Sequence, residues 1–146
     1  MLRFERAPVP APAIGDVLVR VEAASFTPTE LGWASTWTDR AGNSRLPTIP
    51  AHEVSGVVEE LGWGTSGVAV DDQVYGLTDW YRDGAAAGYV AVEARHLATK
   101  PASVDHIHAA SAPLAGLTAS SSRRLPAMGS QGSTSSSSPT ASNLSS

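Results

Sequence analysis

The sequence predicts a mainly β domain with short helices, followed by a serine-rich tail that carries no fold. Three observations predict it. Valine-rich runs at 17–24, 54–61, 74–77 and 89–92 are bounded by glycine, proline and aspartate, which is the punctuation of strands. One stretch, about 104–112, reads as a helix, with Ser103 at its cap and Asp105 near its positive end. From Ser120 onward serine dominates and no apolar face remains, so nothing there offsets the entropy of ordering the chain. The expected division is a domain over 1–119 and a disordered tail over 120–146.

Composition narrows the function classes. Hydrophobic residues make up 42% of the 146 residues, enough for a real core in one domain. A net charge of −4 with no basic stripe argues against a nucleic-acid partner. The chain has no cysteine, which removes disulfides, thiolate catalysis and thiolate metal ligands together. No apolar run is long enough to span a bilayer and Met1 opens no signal-peptide pattern, so a soluble cytoplasmic protein without a membrane partner is expected.

Pro8, Pro10 and Pro12 alternate with small residues, which sets an extended entry. Gly15 and Asp16 turn the chain into the first strand, and residues 25–33 read as a loop entering a short helical turn that Thr29 is placed to cap. Trp33 and Trp37 open a surface excursion that ends near Leu46; such rings either cover a core or line a cleft.

The chain pivots on 47–62. Pro47 and Pro50 hold it extended, then His52 and Glu53 arrive together at the mouth of an apolar strand that ends at Gly62. Read from the residues alone, His52 and Glu53 form a hydrogen-bonded pair at the base of a cleft. Gly56 inside this strand implies a close backbone approach. The turn at 63–67 is rich in glycine, but it has no Lys-Ser/Thr and no helix after it, so it is not a phosphate loop. Asp71 sits at a tight turn, where aspartate tolerates left-handed backbone. Pro101 stops a last short strand at 96–100.

Taken together, these segments resemble the medium-chain dehydrogenase/reductase superfamily over about Pro8 to Ala119. The resemblance rests on Val17-Leu18-Val19-Arg20-Val21, Thr27-Pro28, Ala51-His52-Glu53 followed by Gly56 and Val57, the Val70-Asp71-Asp72 turn, and Gly84 through Val92. Ala51 stands where the family usually has glycine, and Asp71 likewise. The family usually has one more strand or hairpin ahead of this opening, so an unpaired sheet edge is expected. The resemblance implies a GroES-like catalytic domain, a partly open β-barrel with short helices, and no nucleotide-binding Rossmann domain within this chain.

Zinc-dependent members carry cysteine at the place of Thr27, whereas Thr27-Pro28 is similar to the zinc-independent, quinone-oxidoreductase-like branch. By resemblance Thr29, His52 and Glu53 are catalytic, Thr29 as the hydroxyl that relays a proton. Thr27 and Thr118 lie at the cofactor, which is NADPH. Zinc is not expected: a catalytic site needs three protein ligands, and His52 with Glu53 supplies two at most. His106 and His108 would project about 200° apart on a helix and share no metal.

The function implied by resemblance is the catalytic-domain part of an NADPH-dependent oxidoreductase reducing quinones or conjugated carbonyls by hydride transfer, inactive alone. No glycine-rich dinucleotide motif follows a strand anywhere in the chain. The tail stands where the family enters its nucleotide-binding domain, so the expectation is a reading frame lost just after Ala119. The competing reading is a small non-enzymatic β-barrel interaction module or an inactive fragment, self-associating through an exposed apolar cleft face.

Overall fold

Valine builds the sheet. In the computed structural model, which describes residues 2–114, β1 (Asp16–Ser25), β2 (Glu53–Leu61), β3 (Gln73–Leu77), β4 (Tyr89–Glu93) and β5 (Leu97–Thr99) form one five-stranded sheet. The order is β4-β1-β2-β3-β5, and every pairing is antiparallel. β4 and β5 are the two edges and do not pair with each other, so the sheet stays open. Among the described residues helix is scarce: α1 (Ala34–Trp37) and α2 (His106–Ala110) are each barely one turn. The mainly β, open architecture expected from sequence is the one observed. Thr118 and the serine-rich tail lie outside the described residues.

Alternation along the strands places one set of side chains inside. Val17 and Val19 of β1, Val54 and Val58 of β2, Val74 of β3, and Val90 and Val92 of β4 meet Ala85 in a core no more than 2% exposed. β-branched residues suit this pleated packing because one χ1 rotamer dominates. Between Val54 and Val58 the alternating position is Gly56, and its role is steric. A Cβ there would lie 2.1 Å from the Arg20 carbonyl oxygen and 2.7 Å from Val19 Cγ1. The β1–β2 register shifts between Leu18 and Val19 and again between Val21 and Ala23, around the point where Gly56 faces Val21. The close approach expected at Gly56 is therefore made by the neighbouring strand.

The tight turn before β3 holds Asp71 at φ 71°, the left-handed backbone that its glycine-like position requires. Asp71 N–H donates to the Val58 carbonyl at 2.8 Å, and Val58 N–H donates to the Asp72 carbonyl at 3.0 Å. The helix after β5 is shorter than the sequence predicts and starts later. Asp105, not Ser103, is its cap, with Oδ1 accepting from His108 N–H at 2.8 Å. The residues before it are held as a turn instead, because buried Lys100 donates to the carbonyls of Pro101 and Val104. α2 lies against the sheet, with Ala109 and Ala110 buried and His106 Nδ1 2.7 Å from Ser55 Oγ.

One ion pair ties the start of β1 to the loop before β4. Asp16 is 2% exposed, and its two carboxylate oxygens accept from the two terminal nitrogens of Arg82 at 3.1 and 2.5 Å. The Arg82 hydrogen bonds hold the Asp16 carboxyl below its ordinary value, against the opposing effect of burial.

This packing is open to two tests. Gly56→Ala forces apart two strands that cannot separate without losing ladder bonds, and should lower unfolding free energy by about 1–3 kcal/mol in a denaturant titration. Asp16→Asn should cost roughly 2 kcal/mol at neutral pH. A lowered folded-state pKa contributes stability above the unfolded value and loses it as pH falls through the folded value. The gap between Asp16→Asn and the parent should therefore close in acid, below the ordinary aspartate value of 3.8. A gap that stays constant far below 3.8, where the folded-state carboxyl is protonated as well, would contradict the pairing.

Candidate active site

Ser25 of β1 faces Glu53 of β2, which faces Leu77 of β3. Thr27, His52 and Thr78 lie just past those three positions and leave the sheet at one end. What gathers them is a carboxylate from the next turn. Glu30 opens the single helical turn Glu30–Gly32 and is 1% exposed. Its Oε2 accepts from Thr27 N–H at 2.8 Å, while Oε1 accepts from Ala51 N–H at 2.7 Å and lies 3.1 Å from His52 Nδ1.

Ala51 adopts φ 68°, which turns its N–H onto Glu30. Left-handed backbone explains why the motif it resembles carries glycine here. The facing chain has no room for a side chain: a Cβ on Gly84 would lie 2.3 Å from the Ala51 oxygen. Gly84, Ala85 and Ala86 donate in turn to the carbonyls of Ile49, Ala51 and Pro50 at 2.6, 2.5 and 3.0 Å, and Thr78 N–H donates to the His52 carbonyl at 2.8 Å.

His52 is consequently fixed on every side. It is 1% exposed, and its Nε2 lies 3.2 Å from the Arg82 carbonyl. A neutral ring donates to only one of its two oxygen partners at a time, and a doubly protonated ring to both. Trp80 covers the imidazole at 4.9 Å between ring centres and meets Trp33 edge to face at 5.2 Å and 72°. Trp33 Nε1 donates to Thr29 Oγ1 at 3.2 Å. Thr29 is exposed, so one continuous path runs from the buried pair to a surface hydroxyl.

Two sequence expectations need correction. His52 pairs with Glu30 and not with Glu53, because successive side chains along extended backbone point to opposite sides. Glu53 is 4% exposed and its Oε1 accepts from Leu114 N–H at 3.1 Å. Thr29 occupies the cap position at φ 70° but makes no side-chain cap, since its oxygen serves the Trp33 indole. The structure thus joins Thr27, Thr29 and His52 in one site and turns Glu53 to Leu114 instead.

Thr27 is 6% exposed and its hydroxyl has no partner among the described residues; Thr78, 3% exposed, is alike. A buried hydroxyl without a partner is costly unless a ligand satisfies it, so Thr27 fits a role beside a polar cofactor group. Metal ligation is a different matter. Among the described residues no three His, Asp or Glu side chains are arranged to hold an ion, and both nitrogens of His52 face protein oxygens.

A separate cleft of about 670 Å³ lies among Ile14, Asp16, Thr65, Arg82 and Arg95, and includes none of Thr27, Thr29 or His52. Arg82 stands between the two, its carbonyl toward His52 and its guanidinium on Asp16.

Glu30, Trp80 and Arg82 escape a reading of the sequence. For Glu30 a signal was present: Thr27-Pro28-Thr29-Glu30 has the spacing of a capping box, and the carboxylate half of that box forms. Trp80 and Arg82 have no local signal, because their partners are 28 to 66 positions away in sequence, from His52 to Asp16.

The open antiparallel sheet is shared with solved enzymes of the medium-chain dehydrogenase/reductase superfamily. The chain belongs to the alcohol dehydrogenase GroES-like domain family, whose model matches residues 13–102. Its relatives include the 2-methylene-furan-3-one reductase of Solanum lycopersicum, 34% identical over 105 residues (68% of this chain, 27% of the relative). The chloroplastic NADPH-dependent alkenal/one oxidoreductase of Arabidopsis thaliana is 35% identical over 105 residues, with the same coverage of 68% and 27%.

Among solved structures, the quinone oxidoreductase from Coxiella burnetii matches with TM-score 0.70 at 27% identity, over 79% of this chain and 37% of that one. A mycobacterial protein solved with NADPH matches with TM-score 0.71 at 29% identity, over 86% and 38%. The chain spans about a quarter to a third of the length of the curated relatives it matches, 25–36%.

Glu30→Ala strips the partner from Thr27 N–H, Ala51 N–H and His52 at once, and should lower unfolding free energy by about 3–5 kcal/mol. Glu30→Gln keeps an acceptor and should fall between. Chemical denaturation checks both, and a loss under about 1 kcal/mol for Glu30→Ala would contradict the bridging role.

Proposed function

We propose that this chain is the catalytic-domain part of an NADPH-dependent oxidoreductase that reduces quinones or conjugated carbonyls. The observation that carries the reading is the pair of hydroxyls at the open end of the sheet, Thr27 buried and unpartnered, Thr29 exposed and oriented. Relatives whose names give them NADPH-dependent alkenal/one or quinone oxidoreductase activity support it.

When bound, the nicotinamide supplies the hydride. The residues of this chain bind, orient and hold a proton. Trp33 N–H fills one acceptor position on Thr29 Oγ1, which leaves the threonine proton free to point outward. That proton can be donated to the carbonyl oxygen as negative charge develops there. The Thr27 hydroxyl holds a polar group of the cofactor, a role Thr118 shares by resemblance. His52 and Glu53 act as positioning residues, His52 through Glu30 and Trp80, Glu53 through Leu114. The reading calls for no zinc; the ring nitrogens of His52 face Glu30 and Arg82.

Without a dinucleotide-binding motif in the sequence, the 146-residue chain should bind NADPH weakly and turn over slowly. NADPH fluorescence titration with a parallel thermal melt, followed by quinone-dependent NADPH oxidation at high protein concentration, tests this. Expected are a cooperative melt, weak binding, and slow oxidation that Thr29→Val lowers at least about ten-fold. Oxidation indifferent to both Thr29→Val and Thr27→Val would remove the reading.

A further inference from the structure

Two of the four tryptophans are placed unlike the others. Trp63 is 82% exposed on the glycine-rich turn, and Trp37 gives its indole N–H to the Leu31 carbonyl at 2.8 Å. Trp33 and Trp80 instead meet each other edge to face while each stays only partly buried. Neither belongs to the valine core. Both touch the proposed chemistry: Trp33 through its bond to Thr29, Trp80 by covering His52. An edge-to-face pair makes an apolar corner, and an indole face left partly open there is a surface on which a flat π-system stacks.

We propose that Trp33 and Trp80 are specificity-determining residues, forming a corner that selects flat, ring-fused conjugated carbonyls such as a naphthoquinone over open-chain enones. The inference deepens the reductase reading and rests on it. Thr29 at one side of the corner would meet the carbonyl oxygen while the fused ring lies against the indoles. An open-chain enone reaches the same hydroxyl but presents no second ring to stack. Edge-to-face and stacked aromatic contacts of this kind are worth about a five-fold difference in affinity.

The test uses the whole 146-residue chain labelled with nitrogen-15, in which each of the four tryptophans gives one indole N–H signal. It is titrated with a naphthoquinone and, separately, with an open-chain enone of equal carbon count. The absence of cysteine removes thiol addition to either ligand. Expected are saturable shifts of the Trp33 and Trp80 signals with Trp63 unmoved, and naphthoquinone binding at least about five-fold tighter than the enone. Trp33→Leu and Trp80→Leu should each lower the ratio of naphthoquinone to enone affinity by about five-fold, whatever loss the two ligands share through Thr29, with phenylalanine at either position restoring most of the ratio. Signal dispersion reports whether each variant folds, and the shifts in the parent chain decide the matter if one does not.

Naphthoquinone binding that moves the Thr29 amide but neither indole, or equal losses for both ligands, overturns the corner and leaves the reductase reading standing. Tighter binding of the enone does the same. Failure of the folded chain to bind either ligand overturns the corner, while quinone-dependent NADPH oxidation and its loss in Thr29→Val decide the reductase reading separately.

Discussion

The Glu30 carboxylate closes the functional end of this domain by joining three segments that the sheet alone leaves apart. Through two oxygens it engages the Thr27 amide, the Ala51 amide and the His52 ring. A buried carboxylate with three partners is tolerable because its charge is met by donors on both oxygens; with one partner it would be a liability. The left-handed Ala51 follows from this contact, since that backbone turns its N–H inward. The orientation of His52 then follows from Ala51, and the placement of Trp80 from His52.

Behind this end, the sheet is organised by shape more than by charge. Small β-branched side chains fill the core, and a glycine lets β2 approach β1 where their register slips. The Asp16–Arg82 pair holds the loop whose carbonyl meets His52. One arginine therefore couples the start of β1 to the histidine through its own backbone. This coupling is fixed geometry, with the guanidinium engaged on one side and the carbonyl on the other.

Much of the fold is legible in the sequence because the relevant forces are local. Valine runs bounded by glycine and proline mark the strands, and the residue types around Asp71 are enough to mark a tight turn that admits left-handed backbone. The helix after β5 reads less well: Ser103 reads as its cap, and a buried lysine bonding to the carbonyls of Pro101 and Val104 holds that stretch as a turn and leaves Asp105 to cap the helix. At the site, Thr27, Thr29 and His52 are visible as residue types at a strand boundary. Their partners are not, apart from the capping-box spacing of Glu30.

The sequence by itself determined the class of this chain. Side-chain alternation, turn chemistry and ordered motifs are properties of neighbours along the chain, and they point to an open antiparallel domain of the alcohol dehydrogenase type. Only the tertiary structure decided who meets whom at the site. His52 faces Glu30 rather than the adjacent Glu53 because extended backbone sends neighbours to opposite sides, and Trp80 and Arg82 reach it from a distant loop. Contacts between segments far apart in sequence depend on how the sheet brings its ends together, and no local pattern encodes that.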